Sequence, residues 1–324
     1  MLYPLKFRPL FLEKIWGGHK IEKLLGKNIG KIANCGESWE LSGIDGKESV
    51  VTNGYLADNT LPELVEVYMG DLVGEKVFDR CGNDFPLLVK FIDAQDDLSV
   101  QVHPDDELAK LRYGTNGKTE MWYVVDADEG SGLYVGFKEG VTKQQYLDAV
   151  KAGTVDSLLV FHPVKPGDVF FIPAGTVHAI GKGVMVAEIQ QSSDVTYRIF
   201  DWNRVGADGK GRQLHTLEAE DALHFDDHTQ YAVEYERAVN KTIPLVNCKP
   251  FNVNVVDFDR ALEKVYAQID SFVLYVCLEG SAHVVYEGEA QPLAKGEVIL
   301  VPAISTELTM VPEGRTKMLE VYIG

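Results

Sequence analysis

The sequence predicts a mainly β protein made of two copies of one sandwich or barrel unit, with a few helices on the outside. Three observations lead to this prediction. Short β-type runs follow one another along the chain, helical patterns are few, and one short motif occurs twice. A chain organised in this way buries its core mainly between sheets.

The β-type runs are short, and turn residues separate them. They are residues 87–92, 98–102, 121–125, 133–137, 168–173 and 184–189, and later 272–278, 282–286, 297–302 and 317–323. Short, frequent strands bounded by turns are typical of sandwiches and barrels.

Helical patterns occur at three places. Residues 60–74 begin with Thr, have Pro near the first turn and carry apolar residues at helical spacing,. Residues 142–153 also begin with Thr and end at Gly, and residues 216–225 show a weaker pattern. We expect these helices to decorate the β core. The charged stretch between His103 and Lys118 is expected to be a connecting loop.

One motif is repeated. Residues 166–173 read PGDVFFIP, and residues 295–302 read KGEVILVP. Two copies of one β unit explain this recurrence. We therefore predict a metal-binding catalytic domain at residues 1–235 with helical decoration, and a degenerate C-terminal copy at residues 236–324. His178 follows the first motif where Glu307 follows the second, so the C-terminal copy is expected to lack metal ligands.

Length and composition are those of a soluble globular protein. The chain has 324 residues, 45% of them apolar, and four well-separated cysteines that we expect to be reduced,. It has no apolar run of about 18 residues and no signal-peptide pattern, so we expect a cytoplasmic protein without a membrane partner.

The net charge of −18 argues against a nucleic-acid partner,. It permits a small phosphorylated ligand, because a local cluster of Lys and Arg can hold one phosphate on an acidic protein.

Four polar residues form a candidate metal site. Gln101 and His103 are two apart on a strand and therefore share a face,. Glu120 opens the next strand, and His178 follows the tight turn of the repeated motif. Two imidazoles, a carboxylate and an amide oxygen suit zinc, and the same His and Glu residues would also serve iron.

Several segments resemble a known family. They are CGESWELSG, DLSVQVHPDDELA, GKTEMWYV and PAGTVHAIGKGVMVAEIQQSSDVTYRIFDWNR. They are similar to the signature segments of type I mannose-6-phosphate isomerases in their short bacterial form, and the resemblance runs from residues 16–21 to the second repeat. It implies a double-stranded β-helix barrel, the cupin fold.

The resemblance also implies roles for individual residues. His103, Glu120 and His178 match the family's zinc ligands, with Gln101 as a fourth ligand or a longer contact. Lys118, which precedes the metal Glu by two positions, matches an active-site lysine, although Thr119 stands where longer members have Pro. The catalytic arginine of the family matches Arg198.

Two carboxylates and one aromatic residue complete the candidate site. Glu188 matches a proposed catalytic base, and it follows the apolar run VMVA, whose setting favours proton uptake by a carboxylate,. Asp194 and a metal-bound water are rivals for that role. Trp16 is a candidate to line the sugar pocket or to belong to the core, and Lys118 and Arg198 are further candidates to bind substrate.

The implied activity is that of a zinc-dependent aldose–ketose isomerase. It would interconvert mannose 6-phosphate and fructose 6-phosphate by proton transfer through a cis-enediol, with one zinc ion per chain. The alternatives are another metal-dependent cupin enzyme, such as an iron dioxygenase, and a non-catalytic sugar-sensing cupin. The cations Lys118 and Arg198 favour a phosphorylated sugar over dioxygen chemistry.

Overall fold

The computed structural model describes residues 2–205, 209–225 and 230–324. These residues form the strands β1 Leu5–Arg8, β2 Leu10–Gly18, β3 Cys35–Leu41, β4 Val50–Val51, β5 Leu87–Asp93, β6 Val100–Val102, β7 Glu120–Ala127, β8 Gly132–Phe137, β9 Leu159–Pro163, β10 Val169–Ile172, β11 His178–Ile180, β12 Val184–Gln191, β13 Tyr197–Phe200, β14 Lys241–Asn247, β15 Asn252–Phe258, β16 Leu262–Val265, β17 Val273–Glu279, β18 Ser281–Tyr286, β19 Glu289–Ala294, β20 Val298–Val301, β21 Glu307–Pro312 and β22 Thr316–Tyr322. The helices are α1 Lys20–Leu25, α2 Leu61–Val73, α3 Glu75–Cys81, α4 Asp106–Tyr113, α5 Lys143–Ala152 and α6 Thr216–Ala222, with short 3₁₀ turns at Gly54–Leu56 and Val155–Leu158. The predicted mainly β class is confirmed, and each predicted β-type run overlaps an observed strand.

The three predicted helices are present as α2, α5 and α6. Thr60 and Thr142 each cap their helix in a capping box, in which the Thr side chain accepts a hydrogen bond from the third backbone N–H of the helix,. Helix α2 is kinked at Met69, where φ is +45°. Within the described ranges, no helix is long and apolar enough to cross a membrane.

The loop prediction between His103 and Lys118 is wrong in part, because this stretch contains helix α4. The side chain of Asp105 caps α4 by accepting a hydrogen bond from the backbone N–H of Leu108 at 2.8 Å,. Only Ala109 of α4 is buried. A helix with one buried residue has too weak a hydrophobic periodicity to be recognised in the sequence.

Two sheets form the first barrel. One has the strand order β10-β7-β12-β5-β3-β2, and the other has the order β13-β6-β11-β8-β9. Apolar side chains of both sheets pack in one cluster between them, including Ile92, Trp122, Val124, Leu133 and Ile180. The interior of this barrel is therefore closed by hydrophobic packing at its base, and polar residues lie at its mouth.

The second barrel has a seven-stranded sheet, β14-β15-β22-β17-β20-β1-β4, and a four-stranded sheet, β16-β21-β18-β19. Strand β1 pairs with β20 at Leu5 and Leu300, so the start of the chain extends the C-terminal sheet. The division of the chain at residue 235 stays a prediction. Residues 5–8 lie before this boundary in the sequence, but they form a strand of the sheet that is built mainly by residues after it.

The repeated motif has the same place in both barrels. Strand β10 pairs with β7 and β7 with β12, and in the same way β20 pairs with β17 and β17 with β22. Ile172 lies opposite Glu120 in the first barrel, and Val301 lies opposite Val273 in the second. Val273 therefore occupies the position that Glu120 has in the first copy.

Candidate metal centre and adjoining cavity

Three of the predicted metal ligands come together at the mouth of the first barrel. The candidate ligand atoms of His103, Glu120 and His178 all lie within 4.8 Å of one another, and all three residues are buried. Nε2 of His103 lies 3.5 Å from one carboxylate oxygen of Glu120, and Nε2 of His178 lies 3.3 Å from the other. Within the described ranges, this is the one group of three or more His, Cys, Asp or Glu residues close enough to hold a metal ion.

Strand pairing places these residues. Gln101 lies opposite His178 in the pairing of β6 with β11, and His103, two residues after Gln101, directly follows the end of β6. Glu120 is the first residue of β7 and lies opposite Ile172, the last residue of β10. The side chains therefore project from strand ends that meet at one edge of the barrel.

Backbone carbonyls orient both imidazoles. Nδ1 of His103 donates to the carbonyl of Val195 at 3.0 Å, and Nδ1 of His178 donates to the carbonyl of Thr176 at 2.9 Å. A carbonyl oxygen can only accept, so the proton of each neutral ring is on Nδ1, and Nε2, the ring nitrogen near Glu120, carries the lone pair,. Metal ligation by histidine needs this arrangement.

Burial favours the neutral imidazoles. It lowers the pKa of His103 to about 3, with a further contribution from the Lys118 ammonium, and it also lowers the pKa of His178,. Burial acts to raise the pKa of the Glu120 carboxyl, but opposing interactions, the largest of them with the Lys118 ammonium, hold that pKa well below its usual range. The group therefore presents two neutral nitrogen donors and one carboxylate.

These residues fit a divalent transition metal. Nζ of Lys118 lies 2.7 Å from Glu120 and 3.0 Å from Nε2 of His103, but neither carboxylate oxygen of Glu120 accepts a well-directed hydrogen bond from the described residues. A buried carboxylate without such donors suits a cation beside it. Two nitrogens and a carboxylate form a donor set that zinc and iron both accept.

Gln101 stands beside this set. Its amide nitrogen lies 3.3 Å from Nε2 of His178, on the side of the ring that faces Glu120. The oxygen and nitrogen of an amide exchange places by a half-turn, so the amide oxygen reaches the same position. The structure brings Gln101 to the site, and its role as a direct ligand stays a prediction.

A cavity of about 250 Å³ adjoins the candidate ligands. It is lined by Gln101 and Lys118 from their neighbourhood, by the cations Lys14, Lys47, Lys90, Arg198 and Arg212, by the acids Glu37, Glu188 and Asp194, and by Trp16 and Trp39 among others. Positive side chains therefore outnumber negative ones here, although the chain as a whole is strongly acidic. A phosphorylated ligand suits such a surface.

Arg198 lies in β13, directly opposite Gln101, and borders this cavity. Nη1 donates to the carbonyl of Gln213 at 2.9 Å, and Nε is buried without a partner among the described residues. Asp201 instead binds Arg212, through Nε at 2.7 Å. The Arg198 guanidinium therefore has no carboxylate partner in the described part of the chain and keeps donors for a ligand. Burial and the nearby Arg212 lower its pKa, but an arginine remains charged.

The surroundings of Glu188 differ from the apolar setting suggested by its sequence neighbours. One carboxylate oxygen lies 3.0 Å from Nζ of Lys90, and the other accepts a hydrogen bond from Nε1 of Trp122 at 2.8 Å. Both partners come from neighbouring strands, and the three residues are buried. Glu188 thus borders the cavity as one half of a buried ion pair.

Asp194 and Trp16 occupy different depths of the site. The Asp194 side chain is 55% exposed at the rim, 3.4 Å from Nζ of Lys47. Trp16 is buried in the apolar cluster of the barrel and also borders the cavity. The Trp16 ring therefore belongs to the core and also forms part of the cavity wall, and its contact with a sugar stays a prediction.

Several cavity residues were not singled out in the sequence. Lys90 and Trp39 lie opposite each other on β5 and β3, and Nζ of Lys90 lies 5.3 Å from the centre of the Trp39 ring. Glu37 binds Lys14 at 2.9 Å, and Arg212 binds Asp201. Lys90 had a signal, because it interrupts the apolar run 87–92 with a charge. Trp39, Glu37 and Arg212 had no such signal, because their contacts in the cavity depend on residues that are distant in the sequence.

Comparisons with known proteins agree with this architecture. Residues 5–131 match the family described as phosphomannose isomerase type I, catalytic domain, and residues 241–323 match the mannose-6-phosphate isomerase cupin domain. The chain is 37% identical over 304 residues to mannose-6-phosphate isomerase ManA of Bacillus subtilis, covering 92% of this chain and 93% of the relative. It is 36% identical over 299 residues to mannose-6-phosphate isomerase of Streptococcus mutans, covering 91% and 92%. The crystal structure of mannose 6-phosphate isomerase from Bacillus subtilis superimposes with a TM-score of 0.87 and 33% identity, covering 99% of both chains.

Proposed function

Because this chain belongs to the type I phosphomannose isomerase family, we propose that it interconverts mannose 6-phosphate and fructose 6-phosphate. One observation carries the proposal. A buried set of two histidines and a glutamate contacts Gln101 and Lys118, and these two residues line a cavity rich in lysine and arginine, so a metal and a phosphorylated sugar would lie close together,.

We propose one zinc ion per chain, held by His103, Glu120 and His178 with Gln101 as a fourth or outer ligand. The neutral imidazoles and the ionised carboxylate support this choice,. When bound, zinc would supply a Lewis acid for the charge that develops on substrate oxygen. The Nδ1 hydrogen bonds to Val195 and Thr176 would keep the two rings oriented for it,.

The reaction moves a proton between C1 and C2 through a cis-enediol. This step needs a base that reaches the substrate carbon, and the carboxylates that line the cavity are Glu37, which pairs with Lys14, and the two predicted candidates Glu188 and Asp194,. Glu188 is held by Lys90 and Trp122, whereas Asp194 stands at the exposed rim beside Lys47. Arg198 cannot accept the proton, so its part is to bind and stabilise negative oxygen.

The phosphate would lie among the cavity's cations. Arg198 has guanidinium donors without a carboxylate partner among the described residues, and Arg212 stands near it on the same wall. Planar guanidinium groups bind phosphate through paired hydrogen bonds. Lys118 is placed differently, because its ammonium contacts Glu120 and His103 and is therefore suited to oxygens at the reacting end.

We place the enzyme in the cytoplasm and Trp16 against the sugar ring. The indole borders the cavity, and an aromatic face suits the apolar face of a sugar,. Dioxygen chemistry at an iron centre and a purely sugar-binding role are less well supported. The cavity cations point to a phosphorylated ligand, and the candidate ligand set is intact.

A coupled assay tests the proposal. Fructose 6-phosphate formed from mannose 6-phosphate is measured together with the metal content of the same sample. We expect chelation to remove the activity and zinc to restore it. A protein that holds its metal but does not turn over mannose 6-phosphate would contradict the proposed function. Restoration by ferrous iron but not by zinc would contradict the metal assignment alone.

A further inference from the structure

The second barrel contains a copy of the position that Glu188 occupies in the first. Glu188 lies directly opposite Trp122 across the sheet, and Glu320 lies directly opposite Tyr275. Both pairs have the same register relative to the repeated motif of their barrel. The two glutamates are therefore equivalent residues of the two copies.

These carboxylates also make the same kinds of contacts. Glu188 accepts a hydrogen bond from Nε1 of Trp122 at 2.8 Å and lies 3.0 Å from Nζ of Lys90. Glu320 accepts a hydrogen bond from the cross-strand tyrosine hydroxyl at 3.2 Å and one from Nζ of Lys264 at 2.7 Å. Glu320 also accepts hydrogen bonds from the hydroxyl of Tyr266 at 2.5 Å and from Nδ2 of Asn254 at 2.8 Å. Each barrel thus buries a carboxylate that contacts a cross-strand aromatic donor and an ammonium.

The second barrel keeps this trio without the candidate metal ligands. Val273 stands where Glu120 does, and Val265 stands where Gln101 does. A buried carboxylate needs donors and a counter-charge whatever its chemistry. A buried glutamate with an aromatic donor and an ammonium therefore occurs at this position even in a barrel without candidate metal ligands. The burial of Glu188 in such a setting does not require a role in proton transfer.

The two lysines differ in a way that points to the cavity. Lys264 uses its ammonium on both Thr242, at 2.7 Å, and Glu320. Among the described residues, the Lys90 ammonium has one ion-pair partner, Glu188, and it borders the cavity. An ammonium has three N–H donors, so Lys90 keeps donors for a ligand.

Lys90 also stays charged. Burial acts to lower its pKa, but Glu188 and Glu37 outweigh this effect and raise it. The first barrel has therefore placed a lysine at a position where the second barrel has the neutral side chain of Asn254.

We propose that Glu188 is a positioning residue, and that the Lys90 ammonium it holds binds an oxygen of the substrate in the cavity. The inference rests on the proposed isomerase function and deepens it. The proton from carbon is then accepted by a group other than Glu188.

Kinetics of zinc-loaded variants with mannose 6-phosphate test the inference. We expect Lys90→Met to lower kcat/KM by about 10- to 100-fold, the range for one hydrogen bond to a charged group, and Lys90→Arg to recover part of the loss. Glu188→Gln keeps an acceptor for Trp122, so we expect kcat to fall by less than about 10-fold, with the acid limb of the pH profile retained. Calorimetry with fructose 6-phosphate and metal-free protein should show weaker binding to Lys90→Met than to wild type.

Glu320→Gln is the matched control in the second barrel. It should lower the unfolding temperature and leave kcat at the wild-type value.

A fall of about 10²- to 10⁴-fold in kcat for Glu188→Gln, with loss of the acid limb of the pH profile, would assign the proton transfer to Glu188 and overturn the inference. Unchanged kcat/KM and unchanged calorimetric binding in Lys90→Met would overturn it as well, and this variant decides if Glu188→Gln does not fold. Wild-type protein without turnover would instead contradict the proposed function.

Discussion

Nε2 of His178 lies 3.3 Å from Oε1 of Glu120, although the two residues belong to different sheets of the barrel. The imidazole has two further supports. Its Nδ1 donates to the carbonyl of Thr176, and its ring packs edge-on against Trp122, with 5.3 Å between ring centres. Since these supports come from the protein alone, the donor atoms are oriented before any metal arrives.

Removal of one candidate ligand should remove the metal. We expect His178→Ala to lose zinc and activity together, because only His103 and Glu120 of the three candidate metal ligands remain and two ligands hold zinc too weakly. Metal analysis and the isomerase assay on the same preparation measure this. His283→Ala is the matched control, since His283 is on β18 of the second barrel and 3.6 Å from Glu313. A His178→Ala protein with full zinc content would show that this histidine is not a ligand.

Gln101 should contribute to metal affinity. Its amide lies 3.3 Å from Nε2 of His178 and can turn its oxygen toward the same place,. We expect Gln101→Ala to weaken zinc binding by about 10- to 100-fold, the effect of losing a ligand or its support. Competition with a fluorescent zinc chelator measures the affinity. Wild-type affinity in Gln101→Ala would limit the ligand set to His103, Glu120 and His178.

Arg198 should act on turnover and not on metal. We expect Arg198→Ala to keep its zinc and to lose about 100-fold in kcat/KM, because a charged donor beside developing negative oxygen is removed. The same assay on Arg315→Ala supplies the control, since Arg315 is exposed in the second barrel and pairs with Asp257. Near-normal turnover by Arg198→Ala would exclude the catalytic assignment.

Glu37 should make stability depend on pH in the acid range. Burial acts to raise its pKa, but Lys90 and Lys14 outweigh this and lower the pKa from 4.5 to about 2. Between these values the unfolded chain takes up a proton that the folded chain does not. The free energy of unfolding therefore falls as pH falls through this window, by at most about 1.4 kcal/mol per pH unit from this group.

Urea denaturation of metal-free protein across that window measures the effect. Glu37→Gln should show a shallower dependence on pH than wild type, whereas Glu289→Gln, an exposed change in the second barrel, should match wild type. Parallel curves for wild type and Glu37→Gln would show that Glu37 is not held ionised by Lys90 and Lys14.

Much of the fold could be predicted from local patterns. Strand-forming runs, turn residues and the caps Thr60 and Thr142 act over a few neighbouring residues, and the predicted elements appear where these signals lie. Helix α4 was missed because it buries only Ala109 and is held mainly by its cap. A helix without an apolar stripe has no periodic signal to detect.

The candidate ligands were also accessible from sequence. Gln101 and His103 share a face because strand side chains alternate, and the repeated turn marked His178,. The partners of Glu188 were not accessible in this way. Its apolar neighbours along the chain suggested an apolar setting, but its contacts are Lys90 and Trp122 on adjacent strands.

The sequence by itself thus determined the mainly β class, the two copies and the residues able to bind a metal. Only the tertiary structure decided which charges pair, which cations remain free for a ligand, and that Glu320 repeats the setting of Glu188. The physical reason is that side-chain spacing along a strand is a local property, whereas cross-strand register is set by the packing of the whole sheet.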